Sequence, residues 1–202
     1  MAKAIRRALP MAAFLVVLGV GASAQDVLMN SAETINQGNL KLALFPTVLL
    51  GENGGQDDWG LAGRAGFGLT RRLDVEAKAA VFDGLKYYGG DAEVWLVRGP
   101  QVDLSAAVGY HRTDLEVGPD SSGIDASALL SMKVVRRLEV YGGLKLAFDS
   151  LKDSDQSYTL AHVVPGIEYR LSDDLDFLAE LGIAVNDHSR SYASVGFAFY
   201  FR

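Results

Sequence analysis

Leu73-Asp74-Val75-Glu76-Ala77-Lys78-Ala79 carries an apolar residue at every odd position and a charged one at every even position. In an extended strand successive side chains leave on opposite faces, so this segment has one apolar face and one charged face. A helix would scatter the two classes around its circumference, because its period is 3.6 and not 2. The same alternation recurs along the chain. Val102, Leu104, Ala106, Val108 and Tyr110 alternate with Asp103, Ser105, Ala107, Gly109 and His111. Ile124, Ala126, Ala128, Leu130, Met132 and Val134 form one face of a further segment, and Leu175, Phe177, Ala179, Leu181, Ile183 and Val185 form one face of another. After residue 25 no long segment keeps a helical period, and 22 glycines spread through the periodic stretches argue against helices.

Period-two segments fall at 39–50, 59–70, 73–82, 90–97, 102–111, 124–134, 138–148, 157–170, 175–185 and 191–202. Ten is an even number, and most segments are near the ~9–11 residues of a tilted transmembrane strand. Pro46 and Pro165 interrupt two segments, where bulges or strand ends are expected, so eight strands is the alternative count. Tight connections at Arg71-Arg72, 98–101, 135–137 and 171–174 alternate with longer ones at 51–58, 83–89, 112–123, 149–156 and 186–190. The tight rim carries Arg71, Arg72, Arg98, Arg136 and Arg137; the loop rim carries Glu52, Asp57, Asp58, Glu116, Asp120, Asp149, Asp153, Asp155 and Asp187. Thr70 to Val75 is echoed by Val135 to Val140, each copy a turn followed by a returning strand.

At 202 residues the chain is of single-domain size. Lys3, Arg6 and Arg7, the apolar run Met11 to Val20 and then Ala22-Ser23-Ala24 predict a secretory leader over 1–24, cleaved before Gln25. Residues 25–38 read as a polar lead-in and 39–202 as one barrel domain. Cysteine is absent, so neither disulfides nor a lipid-modified N-terminus can contribute. Loss of the three basic leader residues takes the net charge from −6 to −9, which argues against nucleic acid as a partner.

Alternating strands also suit a soluble periplasmic barrel or sandwich, with the apolar face turned inward. Three features favour lipid. The polar faces mix both signs of charge with glycine: Lys41, Arg64, Asp74, Glu76, Lys78, Glu93, Lys133, Glu139, Lys145, Glu168, Arg170 and Glu180. Inside a narrow barrel these can pair across the lumen. The apolar faces are almost free of charge and carry aromatics toward strand ends, among them Trp59, Phe67, Tyr110, Phe148, Tyr169, Phe177 and Phe199. The chain ends in strand, with Val195, Phe197, Phe199 and Phe201 on one face.

Gly66-Phe67-Gly68-Leu69-Thr70-Arg71-Arg72-Leu73-Asp74-Val75 and the terminal stretch Ser191 to Arg202 resemble the small, porin-like outer-membrane β-barrel proteins of bacteria. The resemblance implies an all-β fold: a closed antiparallel up-and-down transmembrane barrel in the cell outer membrane. It also implies outer-membrane lipid, the barrel assembly machinery and small solutes as partners. Phe197, Phe199 and Phe201 would supply the terminal aromatic signal for assembly, although the family pattern usually ends on the aromatic and here Arg202 follows.

Catalytic candidates are few, since only three histidines occur. Asp187-His188 with Asp57-Asp58 has the residue types of an omptin protease without its spacing, and His188 with Ser189 or Ser191 lacks the two-residue spacing of a lipid A deacylase. His162 is expected to face the lumen and His111 the loop-side rim. The acidic stretches Asp114 to Asp120 and Asp149 to Asp155 lack a regular calcium loop, and Gly51 to Gly55 lacks the helix a phosphate loop needs. The expectation is a structural or narrow-pore barrel with no catalytic site, cofactor or metal. The alternatives are an adhesion barrel acting through acidic loops, a hydrolase using Asp187-His188, and a soluble barrel.

Overall fold

A computed structural model of the protein describes residues 30–51, 55–152 and 154–202. The expected leader, the start of the lead-in, Glu52 and Asp153 lie outside the described residues. Ten strands follow in order: β1 (Leu40–Leu49), β2 (Asp58–Gly68), β3 (Leu73–Phe82), β4 (Leu85–Arg98), β5 (Val102–Leu115), β6 (Ser121–Val135), β7 (Leu138–Leu151), β8 (Ser157–Ser172), β9 (Leu175–Ala184) and β10 (Tyr192–Phe201). Each pairs antiparallel with its sequence neighbours, and β1 pairs with β10, so the sheet closes into a barrel with no edge strand. Among the described residues the count is ten, not eight.

The wall is inside out relative to a soluble protein. Along β3 the charged Asp74, Glu76 and Lys78 are buried, whereas Val75, Ala77, Ala79 and Val81 are exposed. Leu44, Val108, Ile124, Leu130, Leu144, Leu181 and Phe197 likewise leave the outside of the barrel. Such a continuous apolar girdle far exceeds the patches that water-soluble proteins tolerate. A hollow of about 580 Å³ on this outer wall, where Gly63, Ala65, Ala77 and Ala79 face out between Leu42 and Leu61, belongs to the girdle and not to the lumen.

Three details differ from the sequence reading. The connection expected over 83–89 is a two-residue turn, Asp83-Gly84, with β4 starting at Leu85. Gly84 has φ of 70°, a left-handed conformation that glycine adopts without a Cβ clash, and Asp-Gly is a strong hairpin pair. Second, β5, β6 and β7 run three to four residues past the expected ends at 111, 124 and 148, so β4 to β8 form a taller wall than their neighbours. Third, neither proline makes a bulge. Leu44↔Phe197 and Thr47↔Ser194 keep one register across Pro46, and Val163↔Ile183 and Gly166↔Glu180 keep one across Pro165. Each proline leaves a gap in the ladder on one side only. The register shifts lie at Trp95/Val97, Lys133/Val135 and Arg170/Ser172, where strands enter tight turns.

Candidate functional site in the barrel lumen

Alternation sends the even-numbered residues of β3 and their counterparts on other strands inward, where they meet across the lumen. Lys41 on β1 lies 3.0 Å from Glu76 on β3, and Glu76 also pairs with Arg64 on β2. Arg64 reaches Asp91 on β4 at 3.3 Å, and Asp91 is 2.9 Å from Lys78. Lys78 continues to Asp125 on β6 at 3.7 Å. The His111 ring lies between Asp125, 3.2 Å from Nδ1, and Asp149, 2.8 Å from Nε2. A single run of alternating charges thus crosses from β1 to β7. Buried ions at such density persist only where each meets a counter-charge, because desolvating an unpaired one costs several kcal/mol.

Every residue expected in the lumen network except Lys133 and Arg170 is buried: Lys41, Arg64, Asp74, Glu76, Lys78, Glu93, Glu139, Lys145, Glu168 and Glu180. Lys133 and Arg170 stand at the turn-side mouth with side chains 40% and 48% exposed. Tyr141 and Tyr192 both donate to Glu180, at 2.9 and 2.6 Å. His162 is buried and its Nε2 lies 3.0 Å from the Arg190 carbonyl. His111 departs from its expected place on the rim. It is fully buried and stacked on Tyr87, because β5 continues to Leu115 and carries it inside.

Sequence reasoning missed the inner role of the lead-in. Residues 30–36 enter the turn-side lumen, with Asn30, Ser31, Ala32, Thr34 and Ile35 all buried. The Asn30 amide donates to Glu93 at 2.5 Å and accepts from Lys41 at 2.7 Å. The Ile35 amide donates to Asp74 at 2.6 Å, and the Ala32 amide to Ser131 at 3.2 Å. Gly66 and Gly68 of β2 provide the space, since a Cβ on either would collide with Ile35 or Asn36. Residues 30–36 are therefore a plug. Its signal in the sequence was the glycine pair, which reads equally well as strand flexibility.

The loop-side lumen holds the His111, Asp125 and Asp149 group beside β5 to β7 and apolar packing beside the other strands. Phe45, Leu49, Phe82, Leu85, Tyr87 and Tyr192 pack into one buried cluster, which Leu178 extends toward the tight turns. Tyr192 lies over Gly182, Tyr141 over Gly166 and Phe45 over Gly196, so rings occupy the room that neighbouring glycines leave. Between Tyr87, His111, Asp125, Lys145 and His162 only about 10 Å³ is open, about one water molecule's worth. A cavity of about 270 Å³ remains at the turn-side mouth, bounded by Glu33, Trp95, Glu168 and Tyr200.

His188 is exposed and meets the Tyr158 ring at 6.1 Å, while Asp58 pairs with Arg190 at 3.8 Å. Phe197, Phe199 and Phe201 face outward on β10.

No family model and no curated protein sequence matches the chain. Among solved structures it is similar to an outer-membrane channel from Pseudomonas putida F1, with a TM-score of 0.58 and 8% identity over 87% of this chain and 100% of that one. The N-terminal barrel domain of Pseudomonas aeruginosa OprF is more distant, with a TM-score of 0.40 and 16% identity over 83% of this chain and 100% of that one. The KdgM porin gives 0.44 and 11% over 81% and 99%. The chain thus shares the fold of a closed antiparallel barrel with the Pseudomonas putida outer-membrane channel, and its exterior is apolar.

Proposed function

We propose that the protein is a structural barrel of the bacterial outer membrane, with its lumen filled by its own side chains and its lead-in. The observation that carries this reading is the inversion of the wall: lysine, arginine and carboxylates are buried while leucine, valine and phenylalanine surround the outside. In lipid a closed barrel satisfies every strand hydrogen bond, so nothing polar need face the acyl chains. Residues 1–24 serve as the export leader, and Phe197, Phe199 and Phe201 as the signal to the assembly machinery. The packed centre favours a structural role over a conducting one, although the similar Pseudomonas putida protein is described as a channel. A narrow pore is the second reading, supported by the run of charges through the lumen. Neither reading includes catalysis.

The test is electrophoretic mobility of the outer-membrane fraction with and without boiling, followed by conductance in planar bilayers. The structural reading expects a heat-dependent mobility shift and no resolved conductance steps. Steps in the full-length barrel would favour the narrow pore, and recovery in the soluble periplasmic fraction without a shift would overturn both.

A further inference from the structure

The turn-side lumen concentrates buried carboxylates inside a rim of arginines. Six wall carboxylates gather there, Asp74, Glu93, Asp103, Glu139, Glu168 and Asp176, one from each of six strands. Asp74 stands directly opposite Glu93, and Glu139 directly opposite Glu168. Like charges facing each other across a strand pair are destabilising unless a cation is shared. The plug adds a seventh carboxylate, Glu33. Lys41 is drawn toward Glu76 and Asn30; Lys133 and Arg170 pair with carboxylates of this group, and Arg98, Arg136, Arg137 and Arg202 stand at the rim beyond them.

Glu33 from the plug, Asp103 from β5 and Glu139 from β7 converge, with one carboxylate oxygen of each within 4.8 Å of the others. Lys133 pairs with Glu33 and lies 3.2 Å from Asp103. Glu139 is only 7% exposed, and its Oε1 is buried with no hydrogen-bond partner. A buried carboxylate oxygen without a donor is costly and calls for a positive charge. The Lys133 ammonium delivers one charge to three carboxylates. Its stem is flexible and its side chain already 40% exposed, so it can swing into solvent at the rim.

We propose that Glu33, Asp103 and Glu139 form a site for a hard divalent cation of the calcium type, which displaces the Lys133 ammonium and fastens the plug to the wall. Calcium takes carboxylate oxygens at 2.3–2.6 Å in flexible geometry and accepts waters for the remaining positions. Oxygens within 4.8 Å of one another can reach such an ion with little movement. The inference does not depend on whether the lumen conducts.

The test is calcium titration by calorimetry on the full-length barrel folded in detergent, with folding of each variant checked by its heat-dependent mobility. The expected result is one calcium per barrel, with a dissociation constant of about 10⁻⁴–10⁻³ M, the range of weak extracellular sites. Lys133→Met removes the competing ammonium and should tighten binding roughly tenfold, whereas Asp103→Asn and Glu139→Gln should weaken it at least about tenfold. Calcium should also slow hydrogen exchange at the Ala32 and Ile35 amides. Absence of binding to both the native chain and Lys133→Met would overturn the site. So would binding that Asp103→Asn and Glu139→Gln leave unchanged.

Discussion

The two ends of the lumen are filled by different chemistry. Toward the tight turns, Lys41, Arg64, Glu76 and Asp91 form an ionic lattice around a strap of main chain. Toward the long loops the ionic run ends in His111, Asp125 and Asp149, and on the opposite wall Phe45, Leu49, Phe82 and Tyr192 form a small apolar core of the kind found in soluble domains. A lipid-facing girdle constrains only the outer face, and the inner face can be closed by charge pairing or by apolar packing. The first is vulnerable to loss of a single counter-charge, the second to loss of volume.

The largest effect should come from the ionic end. Glu76→Gln keeps the shape but leaves Lys41 and Arg64 buried without their shared carboxylate, at an expected cost of about 3–5 kcal/mol. Urea unfolding in detergent measures it. At the apolar end Leu49→Ala should cost about 2–4 kcal/mol through lost burial and a cavity. If Leu49→Ala proved neutral, the loop-side end would not be a packed core. Tyr87 joins the two regimes: it stacks on His111, and its hydroxyl donates to Asp125 at 3.0 Å. Tyr87→Phe should cost about 1.5–3 kcal/mol, as for a hydrogen bond to a charged group. The smallest effect is expected outside the lumen, where Gly84→Ala in the Asp83-Gly84 turn should cost about 1 kcal/mol for its left-handed conformation.

Much of the barrel was legible because period two is a local property. Leu73 to Ala79 and Leu175 to Val185 display both faces within a few residues, and β3 occupies the expected span Leu73–Phe82. What was not legible depended on contacts between distant residues. Glu33 reads as a polar residue in a lead-in until the chain bends at Gly38 and brings it beside Asp103 and Glu139. Asp103 and His111 alternate plainly with apolar neighbours, but their place in the lumen depends on how far β5 runs and on register with β4 and β6. The turn at Asp83-Gly84 was signalled locally. It was obscured because Tyr87, Tyr88 and Gly89 resemble a loop tip, although all three pair along β4.

Leu144 reports whether the apolar face of the wall meets lipid. This residue lies at the middle of β7 and is 60% exposed on the outer face. In barrels folded into phospholipid vesicles, Leu144→Arg should lower unfolding stability by about 2–4 kcal/mol, the cost of an arginine near the bilayer midplane. A change within about 0.5 kcal/mol, as for an ordinary water-exposed surface position, would contradict the account.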